Sequence, residues 1–98
     1  MGNLTLLGGA EQAWEELCGR ALKILKRSNS ELAVGPKSET WKVAIAVFLK
    51  ERTQASNVWL GRRLKFGRAK YVSRLATAMK RASPQPDELR RLRGKWAT

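Results

Sequence analysis

The chain has 98 residues, with 20 Lys+Arg, 8 Asp+Glu and no His, for a formal net charge of +12 and a sequence pI near 11.0. The length supports one small domain; the absent histidines exclude histidine-based catalysis, and the single Cys18 excludes an intrachain disulfide and a zinc site of the usual ligand count. An apolar share of 43% with four Trp supplies enough core material for folding, unlike a disordered basic tail.

At the N-terminus, Met1-Gly2-Asn3-Leu4-Thr5-Leu6 has no basic region ahead of its apolar stretch, and Leu6 stands where myristoylation needs Ser or Thr. The expectation is a cytoplasmic, nucleoid-associated protein with Cys18 as a reduced thiol. From Gly9 to Arg27 the residues Trp14, Leu17, Cys18, Ala21, Ile24 and Leu25 recur at steps of three and four, the pattern of an amphipathic helix with acids early and bases late. Ser28-Asn29-Ser30 is expected to end it, and the stretch to Gly35-Pro36 reads as a linker. Ser38 is the expected N-cap of a second helix carrying Trp41, Ile45, Phe48 and Leu49. Val43–Leu49 is the longest apolar run, too short to span a membrane. Its flanks extend a helical pattern to about 14 residues, beyond the roughly 8 of a strand, and its all-round apolarity places it at the centre.

Ser56 can cap a third helix from Asn57 to about Lys65, with Leu60 and Leu64 inward and Trp59 at their edge. Gly67 is expected to close it through a left-handed conformation. A fourth helix runs from Arg68 to about Arg81, with Ala69, Val72, Leu75, Ala76 and Met79 inward and Lys70, Tyr71, Arg74, Thr77 and Arg81 outward. Ser83-Pro84-Gln85-Pro86 stops that helix, and Asp87 can cap a short last one, Glu88 to Trp96. The expected fold is all-α, with four to five helices and a central helix-turn-helix. It divides into an N-terminal helix and linker (1–35), the helix-turn-helix core (36–82) and a basic C-terminal helix or tail (83–98), within one compact domain.

The charge is concentrated. Residues 1–40 hold five basic and five acidic side chains; residues 41–82 hold eleven basic ones against Glu51 alone, a net of +10. Such a segment attracts polyanions, because each Lys or Arg on a phosphate releases condensed counterions. It coincides with two short helices around Phe66-Gly67. Gly61 is the small residue needed where the helices cross, Phe66 an apolar plug, and Gly67 a residue tolerant of unusual dihedrals. Lys70, Tyr71, Arg74 and Thr77 are the expected base readers in a major groove, and Arg62, Arg63, Lys65, Arg68 and Arg81 the expected phosphate contacts, with the N–H groups of Gly67 to Ala69 free for another phosphate.

The run Trp41-Lys42-Val43-Ala44-Ile45-Ala46, Leu49-Lys50-Glu51-Arg52-Thr53, Ser56 through Gly67 (SNVWLGRRLKFG) and Tyr71-Val72-Ser73-Arg74 resembles the C-terminal helical domain appended to some bacterial REP-associated tyrosine transposases. More distantly it is similar to the DNA-binding domain of the DnaA replication initiator and to the Trp repressor fold. The resemblance covers about residues 38–82. It implies a Trp repressor-like helical domain that binds repeat or hairpin DNA. Those transposases also carry a catalytic domain with a paired-histidine metal site and a tyrosine nucleophile. With no His, and with Tyr71 alone and inside the reading helix, no catalytic residue, metal, cofactor or small-molecule substrate is expected here.

Two other readings compete with duplex or hairpin DNA. One is RNA binding, with Trp59 and Trp96 stacking on unpaired bases while Trp14 and Trp41 lie on core faces. The other is a helical module gripping an acidic protein partner, anchored by Leu92 and Trp96. Enzyme activity is not expected, because the acids are scattered and the adjacent pairs Glu15-Glu16 and Asp87-Glu88 point apart on a helix. The first and last helices leave room for a homodimer contact.

Overall fold

Helix α3, Thr40–Arg52, is the element around which the others are built. Every residue from Trp41 to Leu49 is buried, so its environment is protein on all sides, as its apolar run requires. The structure is a computed structural model; it describes residues 2–34 and 39–97, with the side chains of 10–34 and 39–95. The expected cap Ser38 and the Gly35-Pro36 stretch lie outside the described residues. Among those described there are six helices and no strand, which makes the chain all-helical.

Helix α1, Gly2–Ile24, begins well before Gly9. Gly8-Gly9 disfavours a helix by about 1 kcal/mol per residue, too weak a preference to interrupt it. Its stripe faces the core: Cys18, Ala21 and Leu22 are buried, with Trp14, Leu17 and Ile24 packed at the margin. The helix closes through two backbone bonds, Arg27 N–H to Leu22 O at 2.8 Å and Lys26 N–H to Lys23 O at 3.0 Å, with Lys26 left-handed at φ 58°.

The expected linker after Arg27 is a further short helix, α2, Asn29–Leu32. The Ser28 N–H donates to Glu31 Oε1 at 3.0 Å, and the Arg27 guanidinium donates to Glu31 Oε2 at 2.9 Å. The spacing Ser-x-x-Glu is therefore a helix start, and the serines do not simply end α1. Leu32 is buried, and its carbonyl accepts a 2.6 Å bond from Lys42 Nζ, a lysine only 1% exposed. Lys42 thus ties α2 to α3.

Helix α4, Asn57–Arg63, starts where expected: the Trp59 N–H donates to Ser56 Oγ at 3.1 Å, and Lys50 Nζ reaches Asn57 Oδ1 at 2.6 Å from the end of α3. Helix α5, Ala69–Arg81, turns Val72, Ala76 and Met79 into the core, with Ala69 and Leu75 half-buried. Helix α6, Asp87–Ala97, buries Leu89 and Leu92, and Arg93 grips Glu51 of α3 with two donors while a third reaches Gln85. Helices α5 and α6 both pack on α3, and α4 packs on α5. One continuous core runs from Cys18 to Leu92.

Candidate nucleic-acid interface

The α4–α5 connection is closed by backbone chemistry that allows little variation. The Phe66 N–H and Gly67 N–H both donate to Gly61 O, at 2.9 and 3.0 Å, and the Lys65 N–H donates to Arg62 O at 3.4 Å. Lys65, at φ 62°, is the left-handed residue that ends α4, a role expected of Gly67; Gly67 has its own positive φ, 94°, two residues later. A Cβ on Gly61 would lie 2.9 Å from Gly67 O, so the missing side chain is what lets the turn fold back on α4. Phe66, 1% exposed, plugs the turn from the core side. Because the Gly67 N–H is engaged by Gly61 O, it is not the free phosphate donor the sequence suggested.

On α5, Lys70, Arg74, Thr77 and Arg81 are exposed. Their spacing of four, three and four residues puts them in one stripe along the helix. Tyr71 differs from the outward position expected of it: it is half-buried and packs against the core. Arg62, Lys65 and Arg68 are exposed around the turn. Arg63 differs from them in being engaged: its Nε and Nη2 donate to Glu15 Oε1 and Oε2 at 2.6 and 2.7 Å. This two-pronged pair joins α4 to α1, leaves the Arg63 side chain 17% exposed, and holds its guanidinium even more firmly protonated.

The basic segment therefore divides by environment. Lys42 is buried, Lys50 bonds Asn57, Arg52 lies over the Phe48 ring at 5.5 Å, and Arg63 is held by Glu15. Arg62, Lys65, Arg68, Lys70, Arg74, Lys80 and Arg81 remain on the surface, and none forms an ion pair among the described residues. No acid occurs from Arg52 to Pro86 to offset them.

Trp59 packs edge-to-face on Trp14, ring centroids 5.5 Å apart, and is half-buried rather than a free stacking platform. Leu92 is fully buried and so unavailable as a partner anchor, while the Trp96 side chain lies outside the described residues. Cys18 is buried, and burial pushes its thiol up to about 11. Among the described residues no acid or cysteine group has the makings of a metal site, and no helix is long and apolar enough to cross a membrane. Comparison with protein-family models, curated proteins and solved structures gave no match.

Proposed function

We propose that the chain is a non-catalytic DNA-binding module in which α4, the turn and α5 work as a helix-turn-helix. Helix α5 lies in the major groove with Lys70, Arg74 and Thr77 toward base edges, Arg74 being the residue able to make a bidentate contact with guanine. Arg62, Lys65, Arg68 and Arg81 hold phosphates at either side of the groove, giving affinity without sequence information. Half-buried Tyr71 supports the helix from its flank and touches the groove wall at most. Arg63 positions the turn through Glu15 instead of contacting phosphate. The resemblance to the transposase-appended domain makes repeat or hairpin elements the DNA class of choice.

The observation that carries this reading is the exposed 70-74-77-81 stripe, adjoining a basic turn and free of acids. Solubility alone does not require seven unneutralised cations between residues 62 and 81. The reading is tested by binding to duplex, hairpin and single-stranded oligonucleotides. Arg74→Ala is expected to relax sequence preference at a cost of about 1–3 kcal/mol, while Arg62→Ala weakens all sequences alike and lowers the salt slope by about 1. Equal loss on all sequences from both variants would remove the assigned reading role of Arg74. Tighter binding to single strands would favour RNA-like targets, and absence of binding to any nucleic acid at low salt would leave an acidic protein partner.

A further inference from the structure

Beside the turn runs an open groove of about 480 Å³ between α2 and the end of α4. Asn29, Ser30 and Leu32 line it on one side, and Arg62, Arg63 and Lys65 on the other; no carboxylate is among its lining residues. Arg63 is held by Glu15, which leaves Arg62 and Lys65 as the cations of that wall without an ion-pair partner among the described residues. Lys65 holds a left-handed backbone at φ 62°, which places a lysine where a turn of this kind favours glycine. The opposite wall offers uncharged polar groups, the Asn29 amide and the Ser30 hydroxyl; Ser30 Oγ is 3.0 Å from Ser28 Oγ, which itself donates to Glu31 Oε1, so the Ser30 hydroxyl must turn from Ser28 to donate into the groove. Helix α2 is itself fixed, by the Lys42 bond to Leu32 O and the Arg27–Glu31 pair.

We propose that this groove seats an internal phosphodiester of the bound nucleic acid, with Arg62 and Lys65 on one side and Asn29 and Ser30 on the other, so that α2 forms a second wall of the interface. The inference rests on the DNA-binding reading above and extends it to an element outside the α4–α5 pair. Cations facing neutral hydrogen-bond donors suit a singly charged phosphodiester, whose oxygens accept from both sides. Arg62 and Lys65 belong to both the groove and the basic turn, so a strand docked on α5 passes the groove as a continuation of the same contact.

The test uses the whole chain and a labelled duplex titrated across salt concentrations, with Ser30→Glu, Ser30→Ala and Gly94→Glu compared. Gly94 is exposed on α6 with nothing within 4 Å of an added Cβ, so Gly94→Glu adds the same charge away from the groove. Ser30→Glu is expected to weaken binding about tenfold more than Gly94→Glu and to reduce the salt slope by about 1, with Ser30→Ala intermediate. Helical content by circular dichroism should be unchanged, since an acid suits the first turn of α2. Equal effects of Ser30→Glu and Gly94→Glu, while Arg74→Ala still impairs the duplex complex, would overturn the groove and leave the helix-turn-helix standing. Loss of duplex binding by the parent chain would overturn both. A duplex without terminal phosphates is expected to bind as well as one with them; a requirement for the terminal phosphate would assign the groove to strand ends and overturn the internal phosphodiester.

Discussion

Gly61 and Cys18 illustrate how one side chain, or its absence, decides what its surroundings can do. A methyl group at Gly61 would press on the Gly67 carbonyl at 2.9 Å, and that carbonyl belongs to backbone that is itself bonded to α4. Gly61→Ala is therefore expected to destabilise the fold by about 1–3 kcal/mol, read as a lowered denaturation midpoint, and to weaken duplex binding by misplacing α5. Cys18 supplies a pH dependence. Its folded pKa, raised to about 11 by burial from an ordinary 9.0, keeps the thiol protonated in the native state while the unfolded chain ionises. The unfolded state then binds fewer protons, so this contribution to stability is whole below pH 9 and declines as pH climbs toward 11, at a limiting slope of about 1.4 kcal/mol per pH unit. Urea midpoints across that window should fall more steeply for the parent than for Cys18→Ala. Most inward positions, the small residue at 61 and the plug at 66 were legible, because periodicity and size encode them directly, whereas buried Leu22 and half-buried Tyr71 fell outside the stripes read from the sequence. The burial of Lys42 and the engagement of Arg63 were not: each depends on a partner from an element distant in sequence, Leu32 O for one and Glu15 for the other.

At the scale of elements, the long helices could be read from their stripes, whereas α2 is too short for periodicity to register. Its signal was the local Ser28-x-x-Glu31 spacing, which looks like a helix stop until Glu31 is seen to fold back on Ser28. The boundaries also moved for identifiable reasons: a lysine, not the nearby glycine, takes the left-handed position that ends α4, as another lysine does for α1. The Arg63–Glu15 pair makes α1 a brace for the turn rather than a bystander. Glu15→Gln should cost up to about 1 kcal/mol of stability, because the pair is two-pronged yet Glu15 remains half-exposed. The same change removes a negative charge beside the turn and frees a guanidinium, so duplex affinity should rise at low salt. A fall in affinity would show that positioning by Glu15 outweighs the released charge.

For the molecule as a whole, the net charge of +12 resolves into cations with quite different tasks. Some are structural: Lys42 joins α2 to α3, Arg63 joins α4 to α1, and Arg93 joins α6 to α3. Those left on the surface between residues 62 and 81 form the field a polyanion would meet, on a scaffold whose described helices share one core. The most direct test of the central claim is the affinity of the whole chain for a duplex, measured against salt concentration. The four proposed phosphate contacts, from Arg62, Lys65, Arg68 and Arg81, at roughly −0.9 each would give a slope of log affinity on log salt near −3.6. A slope of that size, shallower by about 1 in Arg62→Ala, is the expected result; a slope near zero, or no duplex binding at low salt, would contradict the account.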